Sequence, residues 1–234
     1  MDNVKKLFAR NCINRGVIKV SDINKILVPL CESYGVSVPT GPEVINFVKE
    51  INKELIQINQ TLTYMKHPLN NEELLIHSWT VESECGKLQY HYSDVERHYF
   101  SKLLENMAVQ DNYSIPWNTV YTITNTLPAT QHKMTKDRMQ ELLNIWIEQG
   151  YFVEIGDNVF FGVKMLVEYG AHIKSNFPEH VKECTLCKKI VWWGIKCSEC
   201  NDKLHNDCLR TYLIKQSKCP ACKKLWNTPI TAPE

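Results

Sequence analysis

Eight side chains near the C-terminus have the types and spacing of metal ligands. In order they are Cys184, Cys187, Cys197, Cys200, His205, Cys208, Cys219 and Cys222. The pattern is Cys-x2-Cys, nine residues, Cys-x2-Cys, four residues, His-x2-Cys, ten residues, Cys-x2-Cys. Zinc favours four soft or borderline ligands in a tetrahedron, and a two-residue gap lets both side chains of a pair turn onto one ion. Eight ligands make two closed sites with no coordination position left for water. The chemistry they imply is therefore structural and not hydrolytic. The segment is only about forty residues long, too few to build a self-sufficient apolar core. Structural zinc contributes about 10–16 kcal/mol of apparent binding free energy in small peptides, enough to decide folding. The bland alternative, ordinary buried cysteines, leaves the recurrence of Cys and His in pairs at ligand spacing unexplained.

The surrounding composition agrees with metal in place of disulfides. Seven of the ten cysteines lie between residues 184 and 222. The N-terminal run Met1-Asp2-Asn3-Val4-Lys5-Lys6 lacks the apolar stretch and cleavage site of a signal peptide. A reducing compartment is therefore expected, where clustered cysteines bind metal. Cys12, Cys31 and Cys85 stand apart with no recognisable base nearby, and are read as core filler. No run of eighteen apolar residues exists, so no membrane span is expected. Residues 1–180 carry 17 Lys+Arg against 21 Asp+Glu, a net of −4, whereas residues 181–226 carry 10 against 4, a net of +6. The whole chain is not a nucleic-acid binder by composition.

Elements that would carry this module occupy the rest of the chain. Residues 4–14 and 21–33 read as helices, with Ser21 as a cap and Gly35 just beyond the second. A third helix starts near Pro42, with Val44, Phe47, Val48, Ile51 and Leu55 on one face. Residues 59–65 and 73–79 look like strands joined by the polar turn 66–71. The order then recurs. Helices are expected at 93–109, at 115–126 with Pro116 in its first turn, and at 135–149, where Met139, Leu142, Leu143 and Trp146 form the buried stripe. A hairpin follows, Tyr151–Ile155 and Val159–Val163 around Gly156-Asp157-Asn158. Three helices and a two-stranded wing is winged-helix order, here met twice as a pattern without matching residues. Residues 164–181 read as a connecting helix ended by Pro178. The fold class is thus α+β, with tandem winged helices over 1–92 and 93–180, a two-zinc module over 181–226 and a disordered tail over 227–234.

Four Cys, one His and three Cys is an order shared by PHD fingers and variant RING fingers. A PHD finger carries Trp two residues before the seventh ligand, where this chain has Ser217. The segments Cys208-Leu209-Arg210-Thr211-Tyr212-Leu213 and Cys219-Pro220-Ala221-Cys222-Lys223 instead resemble a RING finger. Two winged helices ahead of this module, with Trp192-Trp193-Gly194 between its first Cys pairs, resemble the non-SMC element one family. Those are RING subunits of the chromosome-maintenance complex built on the fifth and sixth SMC ATPases.

The resemblance implies interleaved ligands, with Cys184, Cys187, His205 and Cys208 on one zinc and Cys197, Cys200, Cys219 and Cys222 on the other. It implies a RING-type E3 ubiquitin-protein ligase that is weak alone and partner-dependent. Leu186, Tyr212, Pro220 and Lys223 would dock a ubiquitin-conjugating enzyme and its ubiquitin. It further implies a MAGE-type partner, a kleisin subunit, DNA repair by recombination, and a chromatin-associated place in the nucleus. Blander readings stand beside these. Leu186 and Tyr212 also suit the small core between the zinc sites, and Lys223 suits a solvated surface. Of Trp192 and Trp193, one is expected in the core and one on a partner. The module could equally be a non-catalytic interaction scaffold. A weak DNA contact is open at Lys133, Lys136 and Arg138, which lie near the start of the clearer third helix. Asp137 and Glu141 interleave with them and oppose it. A methyl-lysine reader is the last reading, and Ser217 breaks its pattern.

Overall fold

A computed structural model describes residues 2–80, 92–123 and 134–229. The first unit runs α1 (Asn3–Arg15), β1 (Val17–Lys19), α2 (Ile23–Ser33), α3 (Pro42–Leu55), β2 (Gln60–Lys66) and β3 (Glu73–Trp79). The second runs α4 (Asp94–Ala108), β4 (Ser114–Pro116), α5 (Trp117–Thr122), α6 (Lys136–Glu148), β5 (Phe152–Ile155) and β6 (Asn158–Phe161). Helix α7 (Val163–Asn176) leads to a small module with β7 (Ile195–Lys196), β8 (Lys203–Leu204) and α8 (Asn206–Leu213). The architecture is α+β.

Both larger units share one topology. Their antiparallel sheets have the orders β1-β3-β2 and β4-β6-β5, so the short strand after the first helix flanks the hairpin in each. These short strands, three residues each, were not expected from the sequence. Too few residues are present for a period of two to declare itself. Three further expectations are corrected by the structure. Ser21 caps nothing: residues 20–22 form a 3-10 turn and Asp22 takes the cap position. Pro116 ends β4 and stands before α5 instead of inside its first turn. The helix read over 164–181 stops at Asn176, two residues before Pro178, and residues 177–181 are not helical. The last residues of the helix expected over 115–126, together with Cys85, Lys133 and the tail from 230 on, lie outside the described residues.

Local chemistry sets the helix starts. Asp2 accepts the Lys5 N–H at 2.9 Å ahead of α1. Ser93 and Glu96 form a reciprocal capping box ahead of α4. Each unit then has its own core. Phe8, Leu27, Val48, Ile51 and Leu75 belong to the first. Trp146 centres the second, with Phe100, Tyr99 and Phe152 packed at centroid distances of 5.0–6.1 Å. Cys12 and Cys31 are buried, as core filler should be.

The two units meet closely at Gly16 and Gly150. A Cβ on Gly150 would lie 2.5 Å from Val17 Cγ2, and one on Gly16 would lie 2.9 Å from the Gln149 carbonyl oxygen. Leu74 and Ile76 of β3 pack on Val163 of α7 beside this crossing.

Candidate metal centre

Three of the ligand pairs sit on tight knuckles of one design. The residue after the second Cys (Lys188, Asn201, Lys223) has a φ near +60°. Its N–H bonds back to the carbonyl of the first Cys, at 2.8, 3.0 and 3.1 Å for Cys184, Cys197 and Cys219. A left-handed conformation costs an L-residue about 1–2 kcal/mol. Two lysines accept it, which is understandable only if the turn itself is needed. The fourth pair is built differently. His205 stands at the N-cap of α8 and Cys208 in its first turn, with the Leu209 N–H on the His205 carbonyl at 2.9 Å.

These elements bring the eight side chains into two groups of four. Cys184, Cys187, His205 and Cys208 form one, and Cys197, Cys200, Cys219 and Cys222 the other, with ligand atoms in each group within 4.8 Å of one another. This is the interleaved pairing that the resemblance implied. Cys197 and Cys222 sulfurs are 4.0 Å apart, Cys200 and Cys219 3.9 Å.

Three observations test whether zinc fits. First, one group offers three thiols and an imidazole and the other offers four thiols, the donor sets of closed structural zinc sites. Second, the His205 Nε2–H can donate to the Ile190 carbonyl oxygen at 2.9 Å. That bond leaves Nδ1 as the lone-pair nitrogen, 3.3 Å from Cys187 Sγ. A backbone carbonyl holding the far ring nitrogen is how metal-binding histidines are oriented. Third, the thiols have conflicting demands without a cation. Burial opposes ionisation of Cys184, but N–H groups of His205, Cys187 and Leu186 outweigh it and bring the thiol down to about 7. Burial and the neighbouring Cys187 and Cys184 push Cys208 up to about 12. A divalent cation among the four removes the conflict, because coordination favours the thiolate. Each group therefore fits one zinc, two in all.

The expected docking residues are placed unequally. Leu186 packs on the core of Cys184, Val191, Leu204 and Leu209 while keeping part of its surface. Tyr212 and Pro220 are half-buried and Lys223 is exposed. The Lys223 ammonium folds back onto the Pro220 carbonyl at 2.8 Å.

Trp192 is buried in the core of the second unit. Trp193 donates its indole N–H to the Asn112 carbonyl of its own chain at 2.9 Å. It turns toward its own chain because the loop after α4 offers an acceptor there. Sequence reasoning missed that loop, and it missed Lys203, which has no signal of burial in its neighbours. Lys203 Nζ is buried, donates to the Trp192 carbonyl at 2.8 Å and lies 5.0 Å from the Tyr113 ring centroid.

One of the basic residues read for DNA, Arg138, is engaged within the chain. Arg138 is committed to Glu96 at 2.6 Å and Glu141 at 2.9 Å. Of the other two, only Lys136 falls among the described residues.

Residues 184–222 match a family described as RING-like domain. A curated protein of Drosophila melanogaster, "Non-structural maintenance of chromosomes element 1 homolog", is 38% identical over 231 residues, 98% of this chain and 98% of that protein. The chain belongs to the non-structural maintenance of chromosomes element 1 family. Identity falls quickly within the family, though some relatives still align over nearly the whole chain. The Bos taurus homolog is 21% identical over 100% of this chain and 87% of its own length. The Homo sapiens homolog is 19% identical over 97% of this chain and 85% of its own. A chain of a solved "Nse1-Nse3-Nse4 complex" superposes with a TM-score of 0.83 at 19% identity, over 98% of both chains. At that identity the likeness speaks for the fold, and it extends over both larger units as well as the zinc module.

Proposed function

We propose that this chain is a RING-type ubiquitin-ligase subunit of the SMC five/six complex, acting in DNA repair by recombination in the nucleus. In this reading residues 1–92 and 93–180 are winged helices that carry a MAGE-type and a kleisin partner, and residues 181–226 are the ligase module. The solved complex with two further named subunits supports the choice of partners, since it holds a chain of this fold.

The observation that carries the ligase reading is the pair of interleaved four-ligand groups with Leu186, Tyr212 and Pro220 half-exposed around them. Such a module needs no nucleophile. It holds a ubiquitin-charged conjugating enzyme and restricts the thioester to conformers open to attack by a substrate lysine, which is catalysis by positioning. Zinc fixes the knuckles, and the knuckles fix the docking side chains.

A second reading is a zinc-stabilised scaffold for the MAGE-type partner without ligase activity. The fold-back of Lys223 onto its own knuckle favours it, because that ammonium is then not presented to ubiquitin. The two readings separate in one experiment. Ubiquitin chain formation is measured with the MAGE-type partner present, for the wild-type chain and for Leu186→Asp. The ligase reading expects a loss of about tenfold or more. An unchanged rate leaves the scaffold.

A further inference from the structure

Beside the glycine crossing, the two larger units share a small apolar contact and a polar one. The apolar contact is Leu74, Ile76 and Val163, with Val17, Met65 and Val167 against them. The polar contact centres on Glu168 of α7. Its Oε2 accepts the Tyr151 hydroxyl, within the second unit, at 2.6 Å. Its Oε1 accepts the backbone N–H of Trp79, in the first unit, at 3.3 Å. One carboxylate is therefore aimed by one unit and bonded to the other.

The surroundings explain why a carboxylate stands there. On the β1 side of β3, the His77 N–H bonds to the Gly16 carbonyl at 2.8 Å. The Trp79 N–H lies two residues further along the same edge, where the facing chain is already α1 and offers no strand. Glu168 takes the place of the missing strand acceptor. Burial, and then the Glu168 charge, hold the Tyr151 phenol well above its ordinary pKa of 10, so it stays a donor. Lys164, one turn earlier on the same face of α7, is 8% exposed. Its N–H bonds to the Gly150 carbonyl at 3.0 Å, and its Nζ lies 4.9 Å from the Tyr151 ring centroid. Burial lowers the Lys164 pKa and the Glu168 charge opposes that fall.

We infer that Glu168 is a positioning residue that fixes the angle between the two larger units through its hydrogen bonds to Trp79 and Tyr151. Apolar burial is non-directional, and units joined by a small contact turn against each other by default. Hydrogen bonds to a carboxylate are strong and directional, so they select one orientation out of that range. What is fixed is the angle at which the units face any partner that spans both.

The test uses the full chain and the residual dipolar couplings of its backbone amides. One alignment tensor is fitted to the helices and strands from α1 to β3, and another to those from α4 to α7. In the wild-type chain the two tensors are expected to coincide. Glu168→Leu removes both acceptors, and the tensors are expected to separate in magnitude and direction. Glu168→Gln keeps an oxygen for the Trp79 N–H and an amide N–H for the Tyr151 oxygen, so it is expected to restore the common tensor. Zinc content and the amide shifts around Leu27 and Trp146 check that each part has folded. A common tensor kept by folded Glu168→Leu overturns the inference, as do separate tensors in the wild-type chain. Separate tensors in Glu168→Gln assign the hold to the carboxylate charge and overturn it too. If Glu168→Leu does not fold, Tyr151→Phe decides, since it removes the hydroxyl and leaves the ring beside Lys164. Separated tensors in that variant uphold the inference, and coincident ones overturn it.

Discussion

The indole N–H of Trp193 donates to the carbonyl of Asn112 at 2.9 Å, across 81 residues of chain. Two lysines repeat the link. Lys196 pairs with Asp111 at 3.0 Å, and buried Lys203 reaches the Trp192 carbonyl beside Tyr113. The zinc module is therefore clamped to the loop after α4. Burial sets the worth of each link. Lys203→Met keeps the stem but leaves a carbonyl unpaired, and about 1–3 kcal/mol should be lost in urea unfolding. Lys196→Met removes an exposed pair, and no more than about 1 kcal/mol should be lost.

Metal removal should act locally. Mass spectrometry of the native protein should find two zinc ions per chain, and His205→Ala should bind the first-site ion far more weakly while keeping the second. A strong chelator should unfold residues 181–226, since zinc supplies most of the stability of a module this small. The helical circular dichroism of α1 to α7 should largely persist, because those helices rest on apolar cores that hold no ligand. Parallel loss of both signals would show the larger units depending on the metal.

Gly150 should tolerate no side chain. Its φ of +83° is unfavourable for L-residues, and an added Cβ would meet Val17 Cγ2 at 2.5 Å. Gly150→Ala should cost about 2–4 kcal/mol and lower Tm accordingly. Gly35→Ala is the control. Its φ is +61° with nothing within 4 Å, so only the backbone cost of about 1–2 kcal/mol applies. Equal losses in the two variants would mean that the crossing of the larger units relaxes freely.

His77 should make the fold acid-sensitive. Burial, with a smaller contribution from Lys164, lowers its pKa to about 4 from an ordinary 6.5. Between these values the unfolded chain binds a proton that the folded chain refuses, so stability falls as pH drops from 6.5 toward 4. Each unit of difference is worth about 1.4 kcal/mol. His77→Gln should flatten this part of the profile relative to wild type. Comparing the two proteins at each pH cancels the acid release of zinc, which is common to both. Parallel profiles would refute the assignment.

Local regularities were readable along the chain because they need only near neighbours. The stripe Met139, Leu142, Leu143 and Trp146 is buried on α6, and Gly156 turns the second hairpin with φ +58°. The eight ligands were legible for the same reason, since two-residue gaps advertise a knuckle before any fold exists. Strands β1 and β4 were not. Three residues become a strand only when β3 or β6 is already there to pair with them.

The sequence by itself determined that two zinc ions must be held and which side chains can hold them, because ligand type and pair spacing are properties of short segments. Tertiary structure alone decided what those side chains share and face. It sets Cys187 beside His205 across 18 residues and turns Trp193 inward onto Asn112. It also leaves Ile214 uncovered at the end of α8. Contacts between segments far apart in the chain arise when the whole apolar surface is buried together, and no local period encodes them.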